Sequence, residues 1–231
     1  MRKPAIFLLF VAFCLTILGL SAQGGIAVSP QTARTKTEAE GKQKPEDSKQ
    51  RPVAKSKVYL LHSDLLRKDA SHPDAQIVTG NVSFRHDSVY MYCDSACYYD
   101  KVSSFEAFGN VKMVQGDTLF LYGDRLYYDG LTQIAEMRCN VRMENRTTTL
   151  LTDSLNYDRV YNLGYFFDGG TLMDEQNVLT SEWGEYSPQT KQSVFNYNVK
   201  LVNPQFTLTS DTLRYNTASK IADIVGPSDI W

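Results

Sequence analysis

The sequence predicts an all-β protein, a repetitive stack of antiparallel strands bent so that two sheets face each other. An acid recurs at Asp64, Asp94, Asp124, Asp153, Glu182 and Asp211, with steps of 30, 30, 29, 29 and 29 residues by subtraction. Two further columns keep step with it: Leu61, Met91, Leu121, Leu150, Leu179 and Leu208 three residues earlier, and Tyr98, Tyr128, Tyr157, Tyr186 and Tyr215 four residues later. Between these marks the residues alternate with period two, as in Val82-Ser83-Phe84 and Val89-Tyr90-Met91, and Val, Thr, Tyr and Phe abound, which excludes a helical solenoid.

Taken in chain order, Arg2 and Lys3 followed by the apolar run Ala5 to Leu20 and by Leu20-Ser21-Ala22 read as an export signal, residues 1–22, cleaved before Gln23. The run is short for a membrane span, which needs roughly 20 residues, although an uncleaved single anchor stays open. Cys14 lies inside the run rather than at its end, which argues against lipid attachment there. Residues 23–56 are Gln, Lys, Thr, Glu and Pro with hardly an aromatic residue, a composition unable to bury enough surface to fold, and so form a disordered polar linker. The folded domain is expected over residues 57–231. Its opening unit is irregular, with Lys68 where later units have tyrosine.

Each later unit opens with Gly80-Asn81-Val82, Gly109-Asn110-Val111 or Cys139-Asn140-Val141, echoed by Asn198-Val199, whereas the fourth has Gly169-Gly170-Thr171. A small or hydroxylic residue then precedes each acid (Ser63, Cys93, Gly123, Thr152, Ser181, Ser210). The chain closes on Gly226-Pro227-Ser228-Asp229-Ile230-Trp231, which reads as the start of one more unit, continued in a longer product or completed by another molecule.

A repeat of this length suits either a parallel β-helix or an antiparallel meander, and the acid column favours the meander. Like charges one strand apart, about 4.8 Å, cost roughly 3.5 kcal/mol at an effective dielectric of about 20, and half that when equivalent residues recur on every second strand. The acids are expected to fix the bends by accepting their own downstream backbone N–H groups rather than to act as calcium ligands or catalysts. The tyrosines are expected to stack and stabilise sheets rather than to bind sugar. The apolar columns would form core and would also line a lengthwise trough.

Other chemistry is sparsely signalled. No His-Glu-x-x-His, Gly-x-Ser-x-Gly or paired Cys-x-x-Cys pattern occurs, and His62, sharing a column with Tyr92 and Tyr122, is expected at the surface. No catalytic residue, metal ligand or cofactor is therefore expected. The net charge of −2 gives no basic footprint for nucleic acid. Past the signal, Cys93, Cys97 and Cys139 are odd in number; buried or idle thiols are expected, although an exported chain leaves a disulfide open.

The Gly-Asn-Val opening, the alternating middle and the small-residue-Asp pair leading into Leu-x-Tyr, as in Gly123-Asp124-Arg125-Leu126-Tyr127-Tyr128-Asp129, resemble the OstA-like, or LptA-like, repeat of periplasmic lipopolysaccharide-transport proteins. The units Gly80 to Asp100 and Gly109 to Gly130 resemble most closely the OstA-like proteins of the Bacteroidetes lineage, and the likeness covers roughly Lys57 to Trp231. It implies a β-jellyroll open at both ends, a periplasmic and non-enzymatic carrier or bridge for lipopolysaccharide in outer-membrane assembly. The residues flanking the lipid A acyl chains would be Val82, Phe84, Met91, Val111, Met113, Leu121, Leu126, Val141, Met143, Leu150, Leu155, Leu179, Leu208 and Leu213. It also implies stacking end to end with further copies, or docking onto similar jellyrolls of an inner-membrane anchor and an outer-membrane translocon. A structural or adhesive cell-surface solenoid with a closed core is the alternative, and a β-helical polysaccharide-cleaving enzyme a third. The long spacer and the wealth of tyrosine depart from the compact transport protein.

Overall fold

The computed structural model describes residues 56–69 and 72–231, so the export signal and nearly all of the polar linker lie outside the described residues. Fifteen strands follow one another: β1 (Tyr59–His62), β2 (Leu65–Asp69), β3 (His72–His86), β4 (Val89–Tyr99), β5 (Ser104–Gln115), β6 (Leu119–Asp129), β7 (Ile134–Asn145), β8 (Thr148–Asp158), β9 (Leu163–Phe166), β10 (Gly170–Asp174), β11 (Asn177–Ser181), β12 (Trp183–Tyr186), β13 (Gln192–Asn203), β14 (Phe206–Asn216) and β15 (Ile221–Ile230). Every pairing is antiparallel and nearly every neighbour is the next strand in sequence, which is the meander that the acid column favours. A 3-10 turn, Asp100–Val102, interrupts the strands.

Each long strand bends once, at the same place in the repeat. The pairing slips between Thr79 and Val82, between Phe108 and Val111, and between Arg138 and Val141, so the halves on either side belong to different layers. Left-handed backbone makes the bend: φ is +78° and +47° at Gly80-Asn81, +73° and +45° at Gly109-Asn110, +64° and +52° at Cys139-Asn140, and +65° and +52° at Tyr197-Asn198. Glycine and asparagine adopt this region at least cost, which is why they open the units. In the fourth unit the bend breaks the strands outright, leaving β9 and β10 as the halves of one strand and β11 and β12 as the halves of the next. Strands β8, β10, β11, β13, β12 and β9 consequently close into a ring, because β8 pairs with both β9 and β10.

The departure at Gly169-Gly170-Thr171 has a packing cause. Gly170 pairs with Thr152, the partner that Val141 takes on the other side of β8. A Cβ at Gly170 would lie 2.5 Å from Phe166 Cε2, so the fully buried Phe166 ring occupies the space that valine fills elsewhere.

Alternation along each half-strand sends one set of side chains inward and the other outward. The burial pattern of β4 illustrates it, with Val89, Met91 and Cys93 buried and Tyr90, Tyr92 and Asp94 exposed. The layers meet through Phe84 of one and Phe105 of the other, whose rings stack at 4.1 Å, with Tyr98 and Tyr128 tilted against them at 5.4 and 5.5 Å. Such ring pairs are worth about 0.5–1.5 kcal/mol beyond the area they bury.

Candidate functional site

The inward face is the candidate site. Every groove residue expected from the sequence lies on it, from Val82 and Phe84 to Leu208 and Leu213, and none is more than 3% exposed. Met91, Met113, Leu121, Met143, Leu150, Leu172 and Leu179 sit opposite one another strand by strand, forming one apolar row. Leu61 and Leu66 differ, at 49% and 48% exposed, because the opening unit forms the edge strands β1 and β2.

The sequence reading missed part of this face, most of it in one layer. It named Leu126, Leu155 and Leu213 from the layer facing the Met91 row but omitted Val78, Phe105, Ala107, Ala135, Met137, Phe166 and Phe195 there, and Leu201 in the row's own layer, all buried. The alternation that marks Val82 and Phe84 continues through these positions and was the available signal. With both layers in place the inward side chains interlock. A hydrocarbon chain can therefore enter only where the two layers part.

The tyrosine column is buried, as a sheet-stabilising role requires, with Tyr128, Tyr157, Tyr186 and Tyr215 at most 1% exposed. Their hydroxyls also reach across to the last inward residue of the facing layer. Tyr128 meets His86 Nδ1 at 2.6 Å, Tyr186 donates to Asn145 Oδ1 at 3.3 Å, and Tyr215 donates to Asp174 Oδ2 at 2.8 Å. A residue from a connecting turn completes each latch: Arg159 on Tyr128, Lys191 on Asn145 and Lys220 on Asp174. Asn162 does the same in the intervening unit, accepting from Gln115 Nε2 at 2.7 Å and from Tyr157 at 3.2 Å. Burial dominates the acidity of these phenols, pushing Tyr128 and Tyr157 up to about 12.

The acids brace the bends, but through a different donor from the one expected. Asp64, Asp94, Asp124 and Glu182 accept from the side-chain amides of Asn81, Asn110, Asn140 and Asn198 at 2.9, 2.8, 2.5 and 2.5 Å. The acid thus ties its own bend to that of a neighbouring strand, and an asparagine amide outreaches the acid's own downstream N–H. A Cβ on Gly80 or Gly109 would collide with the carboxylate that this tie places overhead. Among the described residues no group of three or more His, Cys, Asp or Glu converges as a metal site.

A family profile described as OstA-like protein matches residues 55–211. The chain belongs to the OstA-like protein family. No curated protein matches it. Among solved structures it is similar to LptH, the LptA homologous periplasmic component of the conserved lipopolysaccharide transport device from Pseudomonas aeruginosa, with 12% identity and a TM-score of 0.46, over 49% of this chain and 93% of that one.

At its N-terminal end the OstA-like fold is stoppered by its own chain. Val58 is fully buried and its carbonyl accepts from Tyr98 at 2.8 Å, while Lys57 pairs with Asp100 at 2.8 Å. Ser56 Oγ lies 2.5 Å from Nε2 of the buried His86 and donates to Asp87 at 3.0 Å, so Nε2 carries the imidazole proton and Nδ1 is left to accept. Arg159 points at that acceptor, 3.0 Å away, and donates to Tyr128 as well. Burial first, and then the Arg159 charge, lower the His86 pKa below its ordinary 6.5, against smaller opposing effects from Asp87 and Ser56.

A lowered histidine pKa means that the unfolded chain binds the proton more readily, so stability is complete above about pH 6.5 and is lost as pH falls from there toward the folded-state value. The melting temperature is accordingly expected to drop between pH 7.5 and 5, and His86→Gln to flatten that dependence. Parallel curves for the two proteins would refute the assignment.

Cys93, Cys97 and Cys139 are not joined by a disulfide. Cys93 is buried, and desolvation pushes its thiol up to about 12, which leaves it unreactive. His62 is exposed, as expected for its column.

Proposed function

We propose that this chain is a periplasmic carrier or bridge for lipopolysaccharide, its inward apolar face shielding the acyl chains of lipid A while the two layers stand apart. The observation that carries the reading is the continuous apolar row from Met91 to Leu208, built from side chains of graded flexibility, methionine and leucine, that can repack around a guest. Shielding hydrocarbon stabilises it by about 0.8 kcal/mol per buried methylene, so an apolar wall without specific contacts is sufficient and no catalysis is involved. Membership of the OstA-like family, together with the resemblance of its repeats to those of lipopolysaccharide-transport proteins, supports the same role.

The edges support assembly. Among the described residues strand β15 pairs with β14 alone, leaving its other side for an added strand from a further copy or from a similar jellyroll at either membrane. Ile224, Val225 and Ile230 on it are 37%, 45% and 62% exposed.

A second reading, a structural or adhesive stack with a permanently closed core, is favoured by the complete burial of the inward face. Photo-crosslinkers at Leu121 and Leu150 separate the two in living cells. Lipopolysaccharide captured at both positions, and not at the outward Tyr90, is the expected result; capture at neither refutes the carrier.

A further inference from the structure

The outer side of the bends carries a second feature, independent of the interior. Three depressions recur there in the same register, each between the residues around an acid on one strand and the bend residues of its neighbours. The first, about 400 Å³, is lined by Asn110, Lys112, Tyr122, Asp124, Asn140 and Arg142. The second, about 520 Å³, shares Asn140 and Arg142 and runs on to Asp153 and Asp168, so the two are continuous. The third, about 510 Å³, lies further along, at Asn198, Lys200, Asp211 and Asp229.

Charge along this path is uneven. In the first depression Lys112 and Arg142 outnumber Asp124, and both cations approach the Tyr122 ring, at 5.7 and 4.3 Å from its centroid. Asp124 is already tied to Asn140, and Arg142 to Glu144 at 2.5 Å, whereas no ion pair involves Lys112 among the described residues. The other two depressions hold two carboxylates and one cation each, with hydroxyl and amide groups between them. A polyanion such as a nucleic acid would meet repulsion at both. A chain of sugars would not: carboxylates and amides accept from and donate to its hydroxyls. Only the Lys112–Arg142 station suits an acidic substituent.

The geometry points to a carbohydrate-binding groove on the outside of the bends, taking a glycan that bears an acidic group, phosphate or carboxylate, held by Lys112 and Arg142 where they flank Tyr122. Asp124 and Asn110 bind the hydroxyls of the same residue. The ligand is either the sugar headgroup of a glycolipid or a fragment of cell-wall glycan, and one titration separates them.

The mature chain is titrated with the phosphorylated core oligosaccharide released from lipopolysaccharide by complete delipidation, and with a carboxylate-bearing disaccharide fragment of peptidoglycan. Binding of the first marks a glycolipid headgroup, and binding of the second a cell-wall glycan. In either case removal of the phosphates, or esterification of the carboxylate, is expected to weaken binding about tenfold, as is the double change Lys112→Gln and Arg142→Gln, the scale of losing a charge-assisted hydrogen bond. Lys112→Arg is expected to preserve binding, which separates loss of charge from loss of fold. Binding of neither probe, or binding indifferent to both the acid and the two cations, overturns the groove. Crosslinking from Leu150 to lipid reports on the interior alone, so the fate of the carrier reading is read separately.

Discussion

Lys220→Met is expected to destabilise the fold by about 3–5 kcal/mol, the cost of leaving a buried carboxylate without its counter-ion. Asp174 is fully buried, and its two oxygens are taken by Tyr215 and Lys220, with Lys220 one-third exposed at the rim. Methionine keeps the aliphatic stem and removes the charge, so the carboxylate keeps only the tyrosine. For a domain of this size the change corresponds to a fall of roughly 10 °C in melting temperature. The repeat itself indicates the cure. Asn145 holds the same position one unit earlier, where it accepts from Tyr186, so Asp174→Asn combined with Lys220→Met should recover most of the loss. A single variant that melts within about 2 °C of wild type would mean that the latch contributes little to holding the layers together.

How much of this was legible in the sequence depends on which interactions obey the period. The bends were legible because left-handed backbone demands Gly or Asn, and the unit openings supply them at a fixed interval. The apolar row was legible because alternation and period coincide at Met91, Leu121 and Leu150. The latches were not. Their members stand 41 or 42 residues apart for the tyrosine pairs, as in Tyr128 with His86 and Tyr215 with Asp174, a separation set by how the two layers register and by no motif. Their chemistry also changes from His86 to Gln115 to Asn145 to Asp174, so no residue type repeats. The acid's true partner was hidden for a related reason. Asn140 was visible as a bend residue, but its amide meets Asp124 across a strand pair whose register shifts at that point, and sequence spacing alone favours the nearer backbone donor.

The closed interior gives the remaining question a sharp form, because a packed core and an unloaded groove look alike until a guest is offered. Leu150 is 1% exposed and faces Met143 on one side and Leu172 on the other. Leu150→Ala is expected to cost about 2–5 kcal/mol, the lost transfer energy plus the cavity. A twelve-carbon fatty acid, held below its micelle concentration, would then restore stability by mass action, since it binds the folded chain alone. Restoration in the variant alone would not establish a carrier, for any tight core with an engineered hole takes an apolar guest. The wild type decides. If the layers part as a carrier requires, the same fatty acid raises the melting temperature of the unmodified chain by at least half as much as that of the variant. If only the variant responds, the methionines and leucines of the row are core and nothing else, and the closed-stack reading replaces the carrier.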